Sequence, residues 1–251
     1  MKTNVQHFWF TERSISADRY LIARNGSVIF NSSIGEEHRP ANKNGELFVI
    51  ADGMSGLKND RLAAEVASQL MMALYQRGLK PFAADSLKER IHTAHYELRN
   101  RLNEKGLPIM GCSLLILWIQ NHTAIWLSLG NGLIYRTQGN QLQRINVEHT
   151  LQEFARRNWF EANDSRKLAQ AWIFGSKIPQ NAQHIYLELN LDYGTFPVQP
   201  GERYLLASDE LNVHLQPSHI QQLMSAHDIS APLKSLSLKD DLTVLRIEIG
   251  S

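Results

Sequence analysis

Cysteine is almost absent from this chain: Cys112 is the only one in 251 residues. That excludes an internal disulfide and any metal site built on several thiolates. Basic excess is missing as well, since 26 Lys and Arg stand against 25 Asp and Glu, a formal charge of +1. Tracking nucleic-acid phosphates needs a basic face, so no nucleic-acid partner is expected. Long apolar runs are missing too: the longest, Leu114 to Ile119, falls far short of the roughly 20 residues that cross a bilayer, and no membrane insertion is expected. The first residues carry no apolar signal core, which makes a cytoplasmic location the expectation. No repeat and no linker rich in Pro, Gly and Ser divides the chain, so residues 1–251 are expected to form a single domain.

What is present is an ordinary globular composition, 43% hydrophobic and 20% charged. Its elements come in blocks. Arg19 to Ala23 and Ser27 to Phe30 read as strands joined by the hairpin pair Asn25-Gly26. Ser33 to Gly45 reads as a polar surface loop. A 3.6-residue period over Leu62, Val66, Leu70 and Leu74, with Ala63 and Ala67 beside them, predicts a helix capped by Asn59 or Asp60. A second helix opens at Ser86, where Ser86 and Glu89 fit a capping box, and buries Leu87, Ile91, Ala94, Leu98 and Leu102. His92 and His95 lie on it without the further donors that a metal site requires. Strands at Gly111–Ile119, Ala124–Leu129, Leu133–Thr137 and Leu142–Ile145 follow, joined by connections short enough to require antiparallel neighbours. Cys112 heads the first of them and reads as core filler. After a helical or irregular segment from Leu151 to about Gly175, strands return at His184–Leu189, Arg203–Ala207 and Leu242–Ile249, with a helix from Pro217 to Ala226 before the last. Blocks of this kind indicate an α+β or layered antiparallel architecture.

The stretch from Phe48 to Gly56 organises the rest. Phe48-Val49-Ile50-Ala51 reads as a buried strand that runs straight into Asp52-Gly53-Met54-Ser55-Gly56. The carboxylate is thereby held on a rigid element at the rim of the core, while the glycines let the backbone approach something bound there. A tight turn stabilised by its own Asp has the same composition. Three more acids occupy comparable places: Asp18 beside a strand start, Asp209 after an apolar strand, and Asp240 before the last one. Several carboxylates converging from strand ends suit hard divalent cations such as Mg²⁺ or Mn²⁺.

The order and flanking residues are more specific. Arg13-Ser14-Ile15-Ser16-Ala17-Asp18, Ile50-Ala51-Asp52-Gly53-Met54-Ser55-Gly56, Met110-Gly111-Cys112-Ser113, Leu129-Gly130-Asn131-Gly132, Gln199-Pro200-Gly201-Glu202-Arg203, Ala207-Ser208-Asp209-Glu210-Leu211 and Lys239-Asp240-Asp241-Leu242-Thr243-Val244 follow one another over nearly the whole chain. Together they resemble the successive motifs of the PP2C-type metal-dependent serine/threonine phosphatases. The resemblance implies two packed antiparallel β-sheets flanked by helix pairs, an α-β-β-α sandwich, with a binuclear Mg²⁺ or Mn²⁺ centre between them. It makes Asp52 the bridge between both ions with Gly53 lending its carbonyl, gives Asp209 and Asp240 to one ion and Asp18 to the other, and assigns the substrate phosphate to Arg13. It further implies a phosphorylated protein as substrate, a cognate serine/threonine kinase, and a flap at about 151–175.

Departures from the family pattern bear on activity. Leu57 stands where the family usually has a histidine, so the expected general acid is absent, a loss worth about 10²- to 10⁴-fold. Asn131 replaces an Asp and makes a third ion doubtful; Glu210 replaces a Gly and adds charge beside the pocket; Ala17 replaces a Glu or Gln. Two functions of different class follow: a phosphoprotein phosphatase, or a pseudophosphatase that binds without turnover. The enzyme is favoured, because close-set carboxylates repel one another unless a cation is present.

Overall fold

The computed structural model describes residues 2–54, 59–105, 110–139, 141–150, 153, 156, 172–174, 189 and 191–250. Two antiparallel sheets face each other. The strands are β1 (Thr3–Phe10), β2 (Asp18–Arg24), β3 (Ser27–Ser32), β4 (Gly35–Pro40), β5 (Glu46–Gly53), β6 (Met110–Gln120), β7 (Thr123–Leu129), β8 (Leu133–Gln138), β9 (Gln141–Arg144), β10 (Trp172–Phe174), β11 (Asp192–Pro197), β12 (Arg203–Ala207) and β13 (Leu242–Ile249). One sheet has the order β1-β13-β12-β8-β9; the other runs β11-β7-β6-β5-β2-β3-β4, with β10 paired to β6. The helices are α1 (Asp60–Arg77), α2 (Ala84–Glu104), α3 (Glu210–His214), α4 (Pro217–Ser225) and α5 (Ser230–Lys234).

Strand β5 explains why the organising stretch is apolar at every position. Leu47, Val49 and Ala51 point to the layer shared with α1 and α2, and Phe48 and Ile50 point to the layer between the sheets. Both faces of the strand are covered, so alternation disappears. Strand β6 is buried along its length up to Gln120 for the same reason. A third apolar layer, including Leu205, Leu211, Ile220, Leu233 and Val244, lies between the smaller sheet and the short helices α3 to α5. The Asn25-Gly26 hairpin forms as expected, both residues having positive φ (54° and 79°), as a two-residue primed turn requires.

Several expectations are corrected. The expected loop over 33–45 contains β4, paired along its length with β3. This is an exposed, charged edge strand, and with neither face in the core its sequence carries no apolar alternation to read. Strands β1 and β11 have no counterpart in the sequence reading. The buried face of α1 is Ala63, Ala64, Ala67, Ser68, Met71 and Tyr75, about one residue round from the expected stripe, and Leu62 is 43% exposed. Small side chains let α1 lie close on β5 and β6, while Leu70 and Leu74 pack at its margin. Asn59 precedes α1 in a left-handed conformation and makes no side-chain cap. Helix α2 begins at Ala84, and the Leu87 N–H reaches the Ala83 carbonyl, so Ser86 sits inside the first turn rather than capping it. Of the expected flap, most lies outside the described residues; its far end, β10, is a strand and not a helix. The expected strand at 184–189 also falls outside them, apart from Leu189.

Candidate active site

The acids gather at one end of the two sheets. Asp18 opens β2, Asp52 lies one residue from the end of β5, and the two are direct partners in the antiparallel register. Asp209 lies two residues past the end of β12, and Asp240 two residues before the start of β13. Because Ala207 pairs with Val244, that end of β12 meets the start of β13. The two sheets are then stitched together through Asp18. Its Oδ2 accepts the hydroxyl protons of Ser208 (3.0 Å) and Thr243 (2.7 Å), both from the other sheet's end. Ser208 Oγ also accepts the Thr243 N–H at 2.9 Å.

Asp18 is fully buried, and its side chain also meets that of Asp52. Burial pushes its carboxyl up to about 7; Asp241 adds to the rise, against the opposing bonds from Thr243 and Ser208. Asp52, partly accessible from the cleft, is held well above the carboxylate range by burial and then by the charges of Asp18, Asp209 and Asp240. Asp209 is pushed up to about 6 by burial, Asp240 and Glu210, while a hydrogen bond from Asn131 pulls the other way. Like charges crowd one another here, which raises each in turn.

Arg13 is brought into this cluster. Its Nη2 donates to Asp240 Oδ1 at 2.9 Å and its Nη1 faces Asp60 Oδ2 at 3.4 Å. Asp240 Oδ1 in addition accepts the N–H of Asp241 at 2.9 Å. Gly53 is required by packing: a Cβ there would stand 2.5 Å from the Asp60 carbonyl, where the start of α1 crosses it. Its N–H donates to the Ala17 carbonyl at 3.3 Å. All six residues expected at the site, Arg13, Asp18, Asp52, Gly53, Asp209 and Asp240, thus lie at the same end of the molecule. Among the described residues, however, no three acid, His or Cys side chains are already gathered as around a single ion.

Sequence reasoning missed several neighbours. Asp241, 5% exposed, accepts the Ala17 N–H at 2.6 Å, so the last strand holds the loop between Arg13 and Asp18. Its position beside Asp240 was the available signal. Asp60 was read only as a helix cap, and the 47 residues separating it from Arg13 hide the contact. Glu210 does raise Asp209, but its carboxylate is engaged elsewhere, with the Lys239 N–H at 2.8 Å and His214 Nε2 at 2.9 Å. Asn131 donates through Nδ2 to Asp209 Oδ2. Leu57 lies outside the described residues. Cys112 is buried, as expected of core filler.

Comparison with known proteins bears on this arrangement. A family model described as protein phosphatase 2C matches residues 38–229. Protein phosphatase PhpP of Streptococcus pneumoniae is 25% identical over 189 residues, 72% of this chain and 73% of that one. Among solved structures, PppA, a key regulatory component of T6SS in Pseudomonas aeruginosa, superposes with a TM-score of 0.70 at 20% identity, covering 99% of this chain and 98% of its own. The catalytic domain of the serine/threonine protein phosphatase PstP in complex with 2 manganese ions gives 0.72 at 14% identity, with 99% of each chain covered. The matched model spans well over half of the sequence: this chain belongs to the protein phosphatase 2C family.

Proposed function

We propose that this protein hydrolyses phosphoserine and phosphothreonine in proteins with the help of two Mg²⁺ or Mn²⁺ ions held by Asp18, Asp52, Asp209, Asp240 and the Gly53 carbonyl. The observation that carries the reading is the Asp18–Asp52 pair. Two carboxylates sit opposite each other in register and meet side chain to side chain, while a third and a fourth press on them. Hard oxygen donors in this number fit Mg²⁺ or Mn²⁺. Bound there, such ions supply a nucleophile at neutral pH and neutralise phosphoryl charge.

The chain's own residues do the rest. Ser208 and Thr243 fix one oxygen of Asp18 and so aim the other at Asp52's side of the cleft. Asn131 orients Asp209 through Oδ2. Arg13, on the loop that Asp241 anchors, presents a planar guanidinium at the mouth, suited to two parallel hydrogen bonds with a phosphate dianion. The protein substrate and a cognate serine/threonine kinase belong to this proposal; no described helix is long and apolar enough to cross a membrane.

The test is phosphate release from a phosphothreonine peptide by the purified chain, with Mn²⁺ and with a chelator. Asp52→Asn should lower turnover by about 10³-fold or more, since the ions' contribution is several kcal/mol at 1.36 kcal/mol per tenfold. Turnover that survives the chelator, or that Asp52→Asn leaves at wild-type level, would sink the reading.

A further inference from the structure

Glu210 is a buried acid that neither the fold nor the cleft chemistry accounts for. It is 7% exposed, it follows Asp209, and in α3 it begins a short helix with no side-chain cap of its own. Burial alone would push such a carboxyl up. It is instead held low, because the backbone N–H of Lys239, the His214 ring and the Asp240 N–H all favour its charged form. Two of these contacts are short: 2.8 Å from the Lys239 nitrogen and 2.9 Å from His214 Nε2, one helical turn along α3. The carboxylate therefore ties α3 to the segment 239–241, across 29 residues of chain.

That segment is where the site is loosest. The side chain of Asp240 is 44% exposed, whereas Asp18 and Asp209 are set in buried surroundings with named partners. Asp240 belongs to no strand, and its carboxylate meets Arg13 and the Asp241 N–H. An exposed carboxylate on a loop needs its backbone fixed if it is to meet an ion at a set distance, because a loop tip otherwise samples many positions. On the other side of the segment, Asp241 is bound to Ala17. Glu210 and Asp241 thus grip the loop from two directions, one from the α3 side and one from the Arg13–Asp18 side.

We propose that Glu210 is a positioning residue for the metal site: through the Lys239 amide it fixes the backbone that presents Asp240 to the ion it shares with Asp209. This rests on the reading of Asp240 as a ligand. It also changes the meaning of the Glu at this position, which the sequence alone presents as an extra charge crowding the pocket. The charge next to Asp209 is real, and the backbone contact it makes offsets that cost by holding the other acid in place. His214 Nε2 meets the same oxygen, Oε1, that accepts the Lys239 N–H, and so holds that oxygen toward the loop.

The test is Mn²⁺ binding by calorimetry on the full chain, with no substrate and no turnover involved. Glu210→Ala should weaken the tightest Mn²⁺ site by about 10- to 100-fold, the usual consequence of losing an outer partner of a ligand. Glu210→Asp keeps the charge but shortens the reach, and should lose about as much; it also covers the case in which the alanine variant fails to fold. Glu210→Gln keeps an acceptor for the Lys239 N–H and should restore most of the affinity. The decisive comparison is in an Asp240→Asn background, where adding Glu210→Asp should cost nothing further, because a residue that acts through Asp240 has nothing left to position. An equal loss in both backgrounds would mean that Glu210 only stabilises the fold, and an unchanged affinity in the wild-type background would overturn the proposal outright. If Asp240→Asn alone leaves Mn²⁺ binding unchanged, Asp240 is not a ligand, and the metal assignment falls together with Glu210's role.

Discussion

An acid flanks strand β12 at each end, and the two could hardly be treated more differently. Glu202, just before the strand, meets Arg136 at 2.5 Å; it also accepts the Gln199 N–H at 3.2 Å and the Tyr204 hydroxyl. Arg136 lies over the Phe196 ring at 4.4 Å and donates to the Pro197 carbonyl at 3.0 Å. At the other end Asp209 faces Asp240, Asp52 and Glu210, and receives a neutral donor, Asn131. One cluster is balanced by the chain itself. The other keeps its acids in excess, with Arg13 paired to Asp240 and Asp60 at its edge. What sets the candidate site apart here is therefore not buried charge as such but acids in excess of the cations beside them.

If that contrast is right, the two ends should fail differently. Arg136→Ala strands Glu202 without its cation and should cost about 3–5 kcal/mol of stability, the usual penalty for half of a buried pair. Urea denaturation of the variant measures this, and its Mn²⁺ affinity should match the wild type wherever it is folded. A large loss of Mn²⁺ binding from Arg136→Ala would erase the distinction between the two ends.

A graded effect separates them by pH. Asp18, Asp52 and Asp209 all bind a proton more tightly folded than unfolded, where Asp titrates near 3.9. For a carboxyl raised in this way, the folded state holds more protons than the unfolded state, so stability falls as pH rises. In chelator, the stabilisation should be full below about pH 4, decline as pH rises, and be gone above about 6 for Asp209 and about 7 for Asp18. With saturating Mn²⁺ the decline should vanish, since the ion favours the charged forms. Urea midpoints across that range, with chelator and with Mn²⁺, give the comparison; parallel curves would mean that the acid cluster does not meet the ion.

How much of this could be read from the residues follows the same division. Strands covered on both faces, β5 and β6, announce themselves by continuous apolar sequence, and so the acid at the end of β5 was legible. Strand β4 was not, because an edge strand with the sequence Gly-Glu-Glu-His-Arg-Pro buries almost nothing and carries no alternation. The α1 face was displaced because alanine contributes little to a hydrophobic stripe, yet its small size is what allows the helix to approach the sheet. The order of the acids along the chain was visible. Their support by Ser208, Thr243, Asp241 and Glu210 was not, since each of these contacts joins residues that only the packed sheets bring together.

The smallest effect concerns Asn131, whose presence has two explanations in the sequence: a good turn residue, or an Asp that was lost. The turn explanation weakens in the structure. The positive φ in Leu129-Gly130-Asn131-Gly132 belongs to Gly130 (103°), which also lies so close to Ser113 that a Cβ would sit 2.5 Å from that side chain. Asn131 has no such conformational demand; it is 9% exposed and uses its amide to donate to Asp209. Asn131→Asp replaces that donor by an acceptor, so in chelator it should destabilise the protein by about 1 kcal/mol, a lost hydrogen bond with added repulsion. Mn²⁺ should then stabilise the variant more than the wild type, because an ion beside Asp209 would gain one more acidic oxygen and anything that binds only the folded state adds to its stability. Thermal melts of both proteins over a Mn²⁺ series measure the difference. Equal Mn²⁺-induced stabilisation in the two would place residue 131 out of reach of any ion, and Asn131 would then serve only as a donor that holds Asp209 in the cleft.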